Sequence, residues 1–144
     1  MPQAAKPLSS LLHLLHRASQ RADGLFSRNV RDADLTPRQF AVLQAVADNN
    51  GLSQTDIIAA TGIDRSSTAE LVRRLVTNGS LQRRRKRRDA RTYVVRITAQ
   101  GRDMLGMGAA ATRAAEDALL SSVPAKQRQA FLAVLTTIAI AQNP

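Results

Sequence analysis

GSLQRRRKRRDARTYVVRIT, residues 79–98, sets a dense block of positive charge between a glycine and an alternating apolar run. Its centre is a run of six consecutive basic residues, 83–88. A block this dense is ordinarily a solvated tail or a targeting signal. The flanks assign it otherwise. Gly79, Ser80 and Leu81 read as a helix stop followed by a new element. On the far side Tyr93, Val95 and Ile97 alternate with Val94 and Arg96, the period of a half-buried strand. The stretch therefore predicts a hairpin with strands over 81–85 and 92–97.

Composition narrows what such a hairpin serves. The chain has 144 residues, the size of one domain with at most a small appended element. Apolar residues make up 44% and aromatic ones 3%, so the core must be aliphatic and alanine-rich. The formal net charge is +10, and residues 83–91, with seven basic side chains and one acid, carry +6 of it. Charge focused on one segment is an electrostatic footprint for nucleic acid or an anionic membrane. The lack of cysteine removes disulfides, thiolate metal sites and cysteine nucleophiles. No apolar run approaches the roughly 20 residues of a membrane span. His13, His16 and Arg17 interrupt the leucine-rich start too early for a secretory signal. The chain reads as cytoplasmic, and its basic run lacks the interleaved aromatics or apolar helical face of a membrane-surface protein.

Outward from the hairpin the pattern is helical. Leu8, Leu11, Leu12, Leu15, Ala18, Ala22, Leu25 and Phe26 predict a long amphipathic helix over 8–31. Thr36, Pro37 and Gln39 form a capping-box start, and Phe40, Val42, Leu43 and Val46 carry that helix to the Asn49-Asn50-Gly51 stop. Ser53 caps a short helix through Ile57 and Ile58, and Thr61-Gly62 turns the chain. Asp64 caps a third helix over 65–78, with Ala69, Leu71, Val72, Leu75 and Val76 pointing inward. Thr98 opens another long helix, and Pro124 starts a last one with Phe131, Val134, Leu135 and Ile138. The expected fold class is mainly α with a small β-hairpin: an N-terminal helix over 1–35, a winged helix-turn-helix over 36–98, and terminal helices over 99–144.

In a helix-turn-helix the second helix enters the major groove and its first residues meet base edges. Here those residues are Arg65, Ser66, Ser67 and Thr68. Arginine can pair with guanine, and the hydroxyls can donate or accept. The hairpin is then the wing, with DNA contacts expected from Arg85, Lys86, Arg87, Arg88 and Arg91, of which Arg87 and Arg88 lie near a tip that can reach the minor groove. Successive strand side chains point to opposite faces, so Arg83 and Arg85 oppose Arg84 and Lys86 and not all of them can meet DNA. Arg73 and Arg74 are phosphate contacts or plain surface charges. Ser53, Gln54 and Thr55 cap the short helix and can also reach a phosphate. The partner expected from these residues is double-stranded DNA.

Residues 35–101 resemble the MarR family of transcriptional regulators, and the likeness extends through the flanking helices. Its most specific part is the wing pattern D-x-R, here Asp89-Ala90-Arg91, followed by a strand and L-T-x-x-G, here Ile97-Thr98-Ala99-Gln100-Gly101 with isoleucine in place of leucine. The resemblance implies a homodimer built from the first and the last two helices, and a wing in which Asp89 holds Arg91. It also implies transcriptional repression, relieved when a small molecule enters a crevice between the dimerisation and DNA-binding parts. Surplus apolar stripe on the terminal helices points independently to a two-fold interface.

For a small anionic or aromatic effector the candidate contacts are His13, His16, Arg17, Arg38 and Phe40. The bland readings are surface charges for the arginines and core packing for Phe40. His13 and His16 stand three apart on one helical face, a spacing that can ligate a metal, yet two histidines without a carboxylate or cysteine make a poor site, and neither a metal nor a cofactor is expected. Nothing resembles a nucleophile elbow, a phosphate loop or a carboxylate pair, so the chain is not read as an enzyme. The alternative is a non-specific architectural DNA binder, which needs a basic wing but no base-reading helix start.

Overall fold

The computed structural model describes residues 4–30, 33–49, 51–86 and 89–142, with the backbone alone for 89–92. The elements are α1 (Leu11–Val30), α2 (Pro37–Ala47), α3 (Gln54–Thr61), α4 (Arg65–Thr77), β1 (Leu81–Lys86), β2 (Asp89–Ile97), α5 (Ala99–Leu120), a 3-10 turn (Ala125–Gln127) and α6 (Arg128–Ile140).

Local sequence explains most of these boundaries. Thr36 accepts from the Gln39 amide while the Gln39 side chain accepts from the Thr36 amide, so both orphan donors at the start of α2 are satisfied. Ser53 and Asp56 make the same reciprocal pair at α3. Gly62 ends α3 with φ of 71°, a left-handed conformation that only glycine adopts cheaply. Thr98 caps α5 by accepting from the Gly101 amide at 3.0 Å.

Three boundaries differ from the sequence reading. The first helix begins at Leu11 rather than residue 8. The hairpin strands run further toward the tip than 81–85 and 92–97. Pro124 leads into a 3-10 turn, and the last α-helix starts only at Arg128.

The core lies where α2, α3, α4 and the base of the hairpin meet. Val42, Leu43, Val46, Ile57, Leu75 and Leu81 are essentially inaccessible there. β1 and β2 pair antiparallel, with Leu81 opposite Ile97, Arg83 opposite Val95 and Arg85 opposite Tyr93. Leu52 adds a bridge to the other edge of β2: its amide donates to Val95 O (3.1 Å) and its carbonyl accepts from Val95 N (2.8 Å). The hairpin base is thus fixed to the segment that starts α3. α1 lies along α5, and Phe26 packs on Phe40 with ring centroids 6.0 Å apart.

Apolar surface is unevenly covered. Phe26 and Val30, near the end of α1, are buried, but Leu11, Leu12 and Leu14 at its start are exposed. α6 has no buried residue, and Phe131, Leu132, Val134, Leu135 and Ile138 on it are all exposed.

One close approach has a testable consequence. A Cβ at Gly101 would run into the carbonyl oxygen of Ser80, a backbone atom that cannot rotate away. Gly101→Ala should therefore lower unfolding stability by about 1–3 kcal/mol, the usual range for overpacking. Gly106, in the same helix, has open space around its Cα, and Gly106→Ala should be neutral or stabilising by up to about 1 kcal/mol. Urea midpoints at one protein concentration check both, and equal midpoints for the two variants would contradict this packing.

Candidate nucleic-acid interface

α4 is positioned by its buried face. Thr68, Val72 and Leu75 point into the core, which leaves Ser66, Ala69, Glu70 and Arg73 as an exposed stripe along the opposite side. Two expectations are corrected by this geometry. Thr68 does not face solvent: it is fully buried, and its hydroxyl donates to Ile63 O at 3.3 Å. It stands four residues before Val72 and so shares the core-facing side, out of reach of base edges. Ala69, expected inward, is exposed for the same reason, one residue further round.

The start of α4 is tightly bonded. Oδ1 of Asp64 accepts from the Ser67 amide (2.8 Å) and the Ser66 hydroxyl (2.9 Å), and Oδ2 accepts from the Ser67 hydroxyl (2.8 Å). The Ser67 amide, then the two hydroxyls, pull the Asp64 carboxyl from its ordinary value of 3.8 to about 2. With both protons committed to Asp64, Ser66 and Ser67 present only lone pairs outward. They can accept from an adenine or cytosine amine, whereas a phosphate needs a donor. Arg65 is exposed at the first position of the helix.

Further along, Arg73 and Arg74 converge on one carboxylate. Arg73 reaches Glu70 through Nε (3.0 Å) and Nη2 (2.6 Å), and Arg74 through Nε (2.9 Å). These bonds, Arg73 first, draw the Glu70 carboxyl from 4.5 to about 2. The sequence reading passed over Glu70. Counting three and four residues from Ser66 would have found it, because that spacing defines one helical face.

α3 and the hairpin flank this helix. The Ser53 hydroxyl oxygen accepts from the Asp56 amide at the cap (3.2 Å), Thr55 is exposed, and Gln54 lines a cavity of about 520 Å³ with Ile57, Val72, Arg83, Tyr93 and Val95. Arg83 and Arg85 share the hairpin face that carries Val95 and Tyr93, and the Arg85 guanidinium lies 5.7 Å from the Tyr93 ring centroid. Arg84 falls on the other face, where it bonds Gln82 at 3.5 Å. The expected alternation stops there, since the register shifts between Arg85 and Lys86. Lys86 lies near enough to α3 to help hold the Asp56 carboxyl low, after the larger effect of Ser53. Arg87, Arg88 and the side chains of Asp89 and Arg91 lie outside the described residues.

The effector candidates do not come together. Phe40 lines a hollow of about 310 Å³ with Phe26, Pro37, Ala115 and Leu119, and α1 contributes Ala22 and Asp23 there, not His13, His16 or Arg17. Arg38 opens onto a different depression, of about 340 Å³, beside Ser66, Ser67, Glu70 and Arg74. Among the described residues no three histidine or acidic side chains cluster as metal ligands, and no helix is long and apolar enough to cross a membrane.

The bonds on Asp64 fix a pH dependence. Its pKa is depressed in the folded state, so its stabilising share is complete above about 4 and is lost as pH falls toward about 2. Asp64→Asn keeps a capping side chain but not the charge. The stability gap between wild type and Asp64→Asn should be constant above pH 4 and close between about 4 and 2. A gap that persists at pH 2 in denaturant titrations would show that the charge is not what holds this cap.

A profile of the MarR family matches residues 33–92. The HTH-type transcriptional repressor NicR of Pseudomonas putida is 31% identical over 123 residues, covering 85% of this chain and 78% of that protein. Among solved structures, Bordetella bronchiseptica BpsR, studied for regulation of its DNA binding by 6-hydroxynicotinic acid, superposes with a TM-score of 0.85 at 26% identity, covering 95% of this chain and all of that one. The transcriptional repressor CouR, bound to a 23-mer DNA duplex, superposes with a TM-score of 0.82 at 30% identity, covering 93% and 99%. With a helix-turn-helix, a basic hairpin and this likeness along most of its length, the chain belongs to the MarR family of transcriptional regulators.

Proposed function

We propose that the protein is a homodimeric repressor that binds a pseudo-palindromic operator through α4 and the hairpin and is released by a small anionic or aromatic effector. The observation that carries this reading is the exposed stripe of α4 standing beside a hairpin that concentrates most of the net charge. In this reading Arg65 reads a base, Ser66 and Ser67 accept from base amines, and Ala69 offers a methyl group to thymine. Thr55, Arg85, Lys86, Arg87 and Arg88 position the chain on phosphates and the minor groove, with Asp89 and Arg91 shaping the tip. CouR is a repressor held on DNA and NicR is named a repressor, which supports the direction of regulation.

The dimer follows from the uncovered surface. Exposed leucines at the start of α1 and an α6 without a buried residue need a second chain to remove them from water. Residues 1–35 and 99–144 then serve dimerisation and 36–98 DNA binding. The Phe26–Phe40 hollow between α1, α2 and α5 sits between those parts, where an aromatic effector would alter their relative placement. BpsR, whose DNA binding is regulated by an aromatic acid, supports that class of ligand.

Selection from random duplexes should return a pseudo-palindrome with half-sites about one helical turn apart. Arg65→Ala should weaken the selected duplex more than random DNA, by about 1–3 kcal/mol. Equal losses on both would leave Arg65 a phosphate contact only. Sedimentation at micromolar concentration should show a dimer for the full chain, and monomer or aggregate once residues 1–31 are removed. A well-folded full-length monomer would refute the assembly.

A further inference from the structure

We propose that Glu70 sets DNA specificity by holding Arg73 and Arg74 in a carboxylate fork on the exposed stripe of α4, which withholds both arginines from the phosphates of arbitrary DNA. The inference rests on the operator-binding reading and concerns how that same surface discriminates.

A carboxylate is out of place in the middle of a surface that meets a polyanion. Glu70 lies on the same helical face as Ser66 and Arg73, with its side chain 46% exposed. It precedes its two partners by three and four residues, the favourable direction for such pairs along a helix. Arg73 spends two donors on it and Arg74 one, so the cluster of three carries a net charge of one rather than two. Arg73 and Arg74 remain 58% and 64% exposed, so solvent-facing donors persist but their positions are dictated by Glu70.

On arbitrary DNA, moving either arginine to a phosphate strips a partner from Glu70 and leaves the carboxylate in a strongly negative field. That penalty applies to every sequence that offers Glu70 no donor. A cytosine N4 amine in the major groove removes it, because that donor is the base-edge partner suited to a glutamate. The carboxylate then passes from arginine to cytosine, and both guanidiniums become available to the backbone. Discrimination thus arises from a repulsive element relieved only by the correct base, a common way to obtain specificity without raising affinity everywhere.

The test uses the full-length protein, a duplex selected by the wild type from a random library, and a random duplex of equal length, each over a salt series. Glu70→Gln should bind random DNA about tenfold more tightly at moderate salt, with a salt slope steeper by one to two units, as expected for one or two added phosphate contacts. Affinity for the selected duplex should change by less than about threefold, so the preference between the duplexes shrinks. Asp103→Asn changes net charge equally at an exposed position on α5 and should leave the preference unchanged. Equal tightening on both duplexes by Glu70→Gln, or no change on either, overturns the inference. A wild type that prefers no duplex overturns the operator reading and this inference with it; a preference that Glu70→Gln leaves intact overturns this inference alone.

Discussion

The junction between residues 78–80 and 98–101 constrains everything on either side of it. The Thr98 amide donates to Ser80 O at 3.1 Å, and its hydroxyl lies within reach of the carbonyls of both Gly79 and Ser80. The Gln100 side chain donates to Asn78 O at 2.8 Å. Gly101, lacking a Cβ, lets α5 close directly onto Ser80 O. In this one place the end of α4, the root of both strands and the start of α5 are tied by one backbone hydrogen bond and by the side chains of Thr98 and Gln100, all closing on backbone carbonyls. The physical content of the Ile97-Thr98-Ala99-Gln100-Gly101 motif is this: a cap that also bonds the preceding turn, followed by a residue small enough to permit the contact. The start of α5 is thereby joined directly to the end of α4 and the base of the hairpin.

A second theme is prior commitment of polar groups. The hydroxyls at the start of α4 are bound to Asp64, and its two mid-helix arginines to Glu70. These bonds fix where the groups stand in the free protein. The hairpin is the contrasting part. Its charge is dense, and its described arginines face different directions, with Arg85 against Tyr93 and Arg84 beside Gln82. In the proposed reading the hairpin supplies long-range attraction and α4 the local chemistry.

Much of this was legible in the sequence. Thr36-Pro37-Gln39, Ser53, Gly62, Asp64 and Thr98 each act within one turn of chain, and the structure uses each as its chemistry suggests. Errors arose where a decision depended on tertiary contacts. Thr68 looked like a reader of bases because it is small and polar, and Ala69 looked buried because it is apolar. The helix is oriented by Val72 and Leu75, and their spacing overrides both identities. Arg38 and Phe40 stand two apart on α2, where side chains point to nearly opposite sides, and they open onto separate hollows. The Leu52–Val95 bridge joins segments more than forty residues apart and has no local signature.

In the proposed complex two copies place α4 in successive major grooves with the hairpins outside them. Hydroxyl-radical footprinting of the full-length protein on its selected duplex tests this directly. Protection should be symmetric about a dyad, with two central patches one helical turn apart and weaker flanking patches where the minor groove meets the hairpins. Asymmetric protection, or uniform protection along the duplex, would contradict it.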